Sequence, residues 1–534
     1  MDPPAAGVPN LGFAPASWLP NLPLTMSSFT PDPNAPAPVA RETETAIPAH
    51  PELLGHPQPL FTLFFAELWE RFSYYGMRAL LILFMTLPAA QAGLGYSSAK
   101  ASLIYGTYTM SVYMMSIFGG TISDNIFGAR QSVLYGGIII ATGHFCMAFP
   151  SETTFFLGLI LVVLGTGLLK PNISAMVGQL YRPGDTRRDA GFSIFYMGIN
   201  IGAMSAPIIT GFLAQHSRFK AMLAGWGFNP EHSWHWGFAA AGVGMVLGLI
   251  VFVVFGQPLK QVGPRPPHTP DAVKKCVLTF LGTLGLWGIA WASDRPGFTW
   301  IRYLFIIVPI VLMLWFGFSK DTETRRLGAI FYFFIGAFIF WALFEQAGTS
   351  LNLFADRFTY THVGGVEVPS SWYQAANPFF VICLAPIFAL LWTRLGTRQP
   401  SSPLKFTIGL FFLSAAFAVM VPAARLAVAG RVSPLWLFGL YFLQTVGEMC
   451  LSPVGLSTFT KLSPARLVGA MLGIWFLGAA FGNKFAGVLA TAFGEGDASR
   501  LDRFFGQQSM AVCIIAVVFL ALVPWVRRRM GGVT

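Results

Sequence analysis

Ten consecutive residues, Glu67-Leu68-Trp69-Glu70-Arg71-Phe72-Ser73-Tyr74-Tyr75-Gly76, set two carboxylates, a guanidinium and two phenols inside an apolar run from Leu60 to about Leu87. The run is long enough to cross a bilayer as a helix. At about 100° per residue, Glu67, Arg71, Tyr74 and Arg78 fall within roughly 60° of one another, with Glu70 and Tyr75 on the flanks. A charged side chain at the bilayer centre costs about 2.5–3.5 kcal/mol on insertion scales. The stripe therefore faces a protein interior or water, and its chemistry is ion pairing and charge recognition. A structural Glu67–Arg71 bridge at i,i+4 would account for only two of the four charges.

The elements that must hold this stripe are apolar helices. The chain has 534 residues, 54% of them hydrophobic and 11% charged, against about 25% charged in soluble domains. Spanning runs recur at 60–87, 100–122, 131–150, 153–179, 190–214, 236–256, 272–292, 300–318, 328–352, 371–393, 404–424, 435–461, 466–492 and 506–526. They divide six, two, six. This predicts an all-α integral membrane protein with two six-helix bundles, 59–256 and 321–534, around a linker and inserted helix pair, 257–320. The inserted pair has no ionisable residue in its membrane interior and is the part least expected to do chemistry. Residues 1–58, rich in Pro and Ala, read as a disordered cytoplasmic tail, with Met26 as an alternative start.

The net charge of +11 could suggest nucleic acid, but the basic residues sit in short loops. One alternate set of loops carries 19 Lys and Arg and the other 10. That excess puts both termini in the cytoplasm. The aromatic cluster Trp226, His232, Trp234, His235 and Trp236 fits a membrane interface. The five cysteines are scattered singly, without metal-ligand spacing or a disulfide framework. An enzyme would need a nucleophile–base set or metal ligands, and of the eight histidines only His144 lies within a span.

The remaining intramembrane charges are Lys170, Glu345, Glu448 and Lys484. Counting about 1.5 Å per residue from the helix ends sorts them by depth. Glu67 and Lys170 fall in the inner half, and Arg78 and Glu345 in the outer half. Glu70, Asn200 and Glu448 lie near the midplane. Opposite charges then pair as Glu67 or Glu70 with Lys170 inside, and Arg78 with Glu345 outside as a gate. Lys484, near the outer end of its helix, is expected to snorkel. Breakers accompany the charges: Gly165, Gly167 and Pro171 around Lys170, Pro453 and Gly455 after Glu448, and Asn377-Pro378. Broken, polar positions at mid-membrane are where transporters hold substrate.

Residues 67–76 resemble the ExxERFxYYG motif of the proton-dependent oligopeptide transporter family, within the major facilitator superfamily. Phe192–Gly202 is similar to that family's fifth-helix signature and Gly165–Asn172 to its fourth-helix lysine motif. Gly120–Asp124 with Gly128–Arg130 resembles the superfamily's loop between helices two and three. The likeness covers roughly 60–526. An inserted helix pair is a feature of bacterial members, whereas the long amino-terminal tail departs from the usual short one.

The resemblance implies a major facilitator fold of 14 membrane helices in the bacterial cytoplasmic membrane. It implies import of di- and tripeptides, with protons as the coupling ion, no cofactor and a functional monomer. By position, Arg71 and Lys170 face the peptide carboxylate and Glu448 its amino group. Asn200 and Asn377 hold the peptide backbone, and Tyr74, Tyr75, Tyr113, Trp341 and Trp475 line side-chain pockets. Glu67 and Glu70 carry the proton. Gly106 stands where animal members have a second-helix histidine, which leaves coupling to carboxylates. The family's nitrate-type branch is the alternative, and the intact Glu67-x-x-Glu70-Arg71 favours peptides. A peptide zwitterion spans about 5–6 Å between its charges, a dipole that cations on one bundle and Glu448 on the other can read.

Overall fold

The computed structural model describes residues 51–532 apart from 183, 268, 465, 466 and 496. Residues 1–50, most of the predicted tail, lie outside the described residues. The described chain is helical: α1 (Pro59–Thr86), α2 (Ser98–Ile122), α3 (Ala129–Met147), α4 (Glu152–Gln179), α5 (Arg188–Gln215), α6 (Ser217–Gly225), α7 (Ser233–Val254), α8 (Ala272–Ala292), α9 (Ile301–Gly317), α10 (Thr322–Phe344), α11 (Ser350–Phe358), α12 (Ala376–Leu395), α13 (Ser402–Ala427), α14 (Leu435–Leu462), α15 (Val468–Ala490) and α16 (Leu501–Arg529). Among the described residues, ten helical segments are long and apolar enough to cross a membrane. Helices also stand at the other four predicted spans. Of these, α1 carries Glu67, Glu70, Arg71 and Arg78, α2 is rich in hydroxyl residues and glycine, α3 has only 19 residues and α9 has 17.

Three elements depart from the sequence reading. First, residues 51–58 are not part of a disordered tail. β1 (Glu52–Leu53) pairs antiparallel with β2 (His56–Pro57), through Leu54 and Gly55 at φ +52° and +78°, the double positive φ of a tight hairpin turn. Arg187 fastens the hairpin, donating to Glu52 at 2.8 Å and to the Gly55 carbonyl at 3.1 Å. Second, the 214–236 gap contains α6, with Phe219 edge-on to Trp226 and Trp236. Third, the predicted helix over 328–352 breaks at Glu345–Gly348, a 3-10 turn between α10 and α11. A Cβ at Gly348 would collide with the Tyr105 hydroxyl, so the break lets α2 approach closely there.

Packing sorts the helices. In the first half α1 lies against α5 and α7, α3 against α4 and α7, and α2 against α4. In the second half α13 packs with α14 and α16, and α10 with α15. The two halves meet along α2 with α15, and along α5 with α12 and the 370–375 turn. Small residues set the approach, since membrane helices gain by packing backbones closely. At the α2–α15 seam a Cβ on Gly106 would stand 2.9 Å from the Lys484 carbonyl and the Gly487 Cα. Position 106 thus has no room for a side chain here. The inserted pair straddles the seam. Phe280 of α8 packs on Phe118 of α2 at 5.1 Å, while Phe305 of α9 packs on Phe481 of α15 at 4.6 Å.

Candidate functional site

The stripe on α1 is buried, as its polarity demands. Glu67 is 2% exposed, Glu70 0% and Arg71 3%. Arg71 Nε sits 3.1 Å from Glu67 Oε1 and donates to Glu70, so one guanidinium holds two carboxylates. Arg71 Nη2, Glu67 Oε2 and Glu70 Oε1 have no hydrogen-bond partner in the described chain. The predicted pairing of Glu67 or Glu70 with Lys170 is therefore corrected. Arg71 stands one residue from Glu70 and one turn from Glu67 on the same helix, and takes both. Lys170 instead lies over the Tyr113 ring, with Nζ 4.1 Å from its centroid, a cation–π contact.

Farther along α1, Arg78 pairs with Glu345 and donates to the Tyr105 hydroxyl. The pairing expected from depth is present, and it joins α1 to the break after α10. Tyr105 is the part missed. One tyrosine in an aromatic-rich helix carries no sequence signal, although Gly348 opposite it could have been noticed. Arg78 also lies 5.7 Å from the Tyr75 ring centroid.

A cavity of about 160 Å³ lies between the two halves. Tyr75, Arg78, Tyr113 and Asn200 line it from the first half, and Trp341, Glu345, Asn377 and Glu448 from the second. Tyr196, Gln374, Tyr441 and Gln444 line it too and were not anticipated. Asn377 Nδ2 donates to Thr445 Oγ1 at 2.9 Å and to Glu448 Oε2 at 3.2 Å, which fixes the carboxylate's orientation. Asn200 donates to the Tyr196 carbonyl of its own helix. A larger cleft, about 860 Å³, runs between α2, α4 and α8. Its walls are mostly Leu, Ile, Met, Phe and Trp, with Lys100, Asp294 and Arg295 as the charged residues among them.

Four of the residues predicted to contact substrate do not line the cavity: Arg71, Lys170, Tyr74 and Trp475. Trp475 does not line the cavity; its ring lies over Gly455, 5.1 Å from Phe459 and 6.4 Å from Phe406. The glycine gap on α14 receives it as core. Tyr74 also stays off the cavity wall, edge-on to Tyr75 at 5.3 Å and 5.3 Å from the Arg71 guanidinium carbon. Lys484 does not snorkel. It is 1% exposed and bonded to Asp294 and to Thr107 Oγ1. The sequence reading overlooked Asp294 because it follows the end of α8.

Such a site can bind a solute with charges of both signs, using cations one ring away from the cavity on one side and an oriented carboxylate on the other. Residues 130–510 match the profile of the POT family. A "Peptide transporter YePEPT" of Yersinia enterocolitica is 39% identical over 519 residues, covering 92% of this chain and 98% of that one. A "Di-/tripeptide transporter" of Lactococcus lactis is 35% identical over 507 residues, covering 90% and 97%. An "Uncharacterized transporter YclF" of Bacillus subtilis is 40% identical over 507 residues, covering 92% and 99%. Among solved structures, a mutant of peptide transporter POT in complex with alafosfalin superposes with a TM-score of 0.79 at 39% identity, covering 90% of this chain and 98% of that one. The family is one of transporters, not enzymes, and the chain belongs to it: the POT family of proton-dependent oligopeptide transporters.

Proposed function

We propose that this chain is a proton-coupled symporter that imports di- and tripeptides by alternating access, in the cytoplasmic membrane of a bacterium, with both termini in the cytoplasm. All fourteen long helices span the bilayer in this reading. Residues 59–256 and 321–534 are the two bundles, and 257–320 hold the linker and inserted pair. The protein works as a monomer in lipid and needs protons but no cofactor.

One observation carries the reading: a single cavity receives Glu448, held by Asn377, from the second half, while cations cluster beside it in the first. Lys170 lies behind Tyr113, a cavity wall, and Arg71 behind the Tyr74–Tyr75 pair. Arg71 and Lys170 take the peptide carboxylate and Glu448 its amino group. Asn200 and Asn377 hold the backbone, and Tyr75, Tyr113 and Trp341 pack against side chains. Tyr74 orients Arg71, and Trp475 packs as core over Gly455. Glu67 and Glu70 exchange the proton, and Arg78 with Glu345 closes the outer side. Contact of the halves at Arg78–Glu345 and along α2–α15 supports this assignment.

The test is uptake of a labelled dipeptide by proteoliposomes with and without an inwardly directed proton gradient. Gradient-driven accumulation that excess unlabelled dipeptide abolishes is expected. Accumulation of nitrate or another small anion, with no response to peptide, would assign the chain to the alternative branch.

A further inference from the structure

The mechanism above leaves the most deeply buried lysine of the described residues unused. Lys484 belongs to α15, in the second half, and is 1% exposed. Its ammonium donates to Thr107 Oγ1 of α2 at 2.7 Å and to the Asp294 carboxylate. Asp294 lies in the turn between α8 and α9, so three parts of the protein meet on one ammonium. The other Asp294 oxygen accepts from Arg302 Nη2 at the start of α9, at 3.1 Å, which holds the carboxylate within the inserted pair. Close by, α2 and α15 approach backbone to backbone at Gly106 and Gly487. On the proposed topology this is the outer end of the seam.

We propose that Lys484, Thr107 and Asp294 form a second closing contact of the outer gate, so that the inserted helix pair acts in the transport cycle as a strut across the seam. The inference rests on the alternating-access reading. The Lys484–Thr107 bond joins α15 to α2 and cannot survive their separation. The inserted pair is anchored on both sides: Trp287 Nε1 of α8 donates to Ser111 Oγ of α2 at 2.9 Å, while Phe305 of α9 packs on Phe481 and Phe485 of α15. Parting the halves therefore pulls the pair in two directions, and its turn is where Asp294 holds Lys484. A buried ammonium that loses a partner needs water, which an open outer vestibule supplies. The contact thus favours closure. Lys484, Thr107 and Asp294 are positioning residues; none touches the cavity that receives the solute.

The experiment reads the gate without using peptide. In a background with the five native cysteines replaced, Ala347→Cys, on the cavity wall beside the Arg78–Glu345 pair, reports outer access through its rate of labelling by a membrane-impermeant reagent added outside proteoliposomes that hold the protein in its cellular orientation. Asp294→Asn should raise that rate several-fold, and Thr107→Val should raise it less. Lys484→Arg, which keeps charge and donors, should leave it near the parent value. A purely structural role would lower the melting temperature without changing labelling in the folded protein. Should Asp294→Asn fail to fold, Thr107→Val, which removes one hydroxyl and spares the ion pair, still decides. Unchanged labelling in every folded variant overturns the proposal. Labelling that shifts as expected in a chain that moves no peptide would keep this contact and remove the transport reading instead.

Discussion

Replacing Glu345 with glutamine should weaken outer closure by about tenfold. Arg78 is 7% exposed and Glu345 4%, so both charges of the pair are desolvated when the outer side is closed. At an effective dielectric of about 20, unit charges about 4 Å apart attract by about 4 kcal/mol. Desolvation of each buried ion costs several kcal/mol and offsets most of this. In the open state water solvates both groups, so only the difference between states biases the equilibrium. Glutamine still accepts a hydrogen bond from Arg78, and Tyr105 still receives the guanidinium Nε. The loss is then about 1–2 kcal/mol, roughly tenfold in the closed-to-open ratio. The Ala347→Cys labelling rate should rise by that factor while uptake slows. Arg78→Glu with Glu345→Arg should restore part of the activity if the pair acts only as a gate. Labelling that stays within about twofold of the parent, in a folded protein whose uptake has fallen, would refute the gate and leave Glu345 another role.

Glu67→Gln or Glu70→Gln should abolish gradient-driven accumulation and spare peptide exchange; a variant that still concentrates peptide shows its carboxylate is dispensable. An N-acetylated dipeptide should compete at least about tenfold more weakly than the free one, the scale of a lost charge-assisted hydrogen bond, and Glu448→Gln should erase most of that difference in a competition assay. Gly106→Ala should cost about 1–3 kcal/mol through overpacking, read as a lower melting temperature with faster Ala347→Cys labelling, because its methyl meets Gly487 and the Lys484 carbonyl. Deleting residues 1–50 should leave insertion and uptake unchanged, as measured by vesicle transport.

The depth of the charges was legible because helices convert sequence distance into height at a fixed rate. Arg78 and Glu345, 267 positions apart, could be matched by counting alone. Angular and same-helix competition was harder to read. Lys170 has the right depth for Glu67 and Glu70, but Arg71 reaches both without leaving α1. Trp475 resembled a pocket wall by position, and only the glycine opposite it at 455 shows that it packs inward. Lys484 looked partnerless because its carboxylate, Asp294, lies beyond the apolar run it was compared with. The hairpin at 52–57 was hidden in a Pro-rich, Ala-rich composition, although Leu54-Gly55 between its strands is where a turn signal stood. Residues that act alone in sequence, such as Tyr105 and Gln444, acquire meaning only from what the fold sets opposite them.

The charges beside the cavity suggest how a proton and a peptide could be bound together. Glu67 and Glu70 ionised, with Arg71 and Lys170 charged, sum to zero. In a buried site any net charge is costly, so a peptide carboxylate entering that neutral cluster meets resistance. A proton on either glutamate leaves a surplus of one positive charge, and the incoming carboxylate cancels it. Arg71 now holds both glutamates through Nε, with Nη2 unengaged. Neutralising one glutamate loosens its grip on the guanidinium and frees a second donor direction for the planar fork that matches a carboxylate. The second cation, Lys170, lies over the ring of Tyr113, a wall of the cavity, so a carboxylate drawn to both cations would sit at that wall rather than on α1 alone.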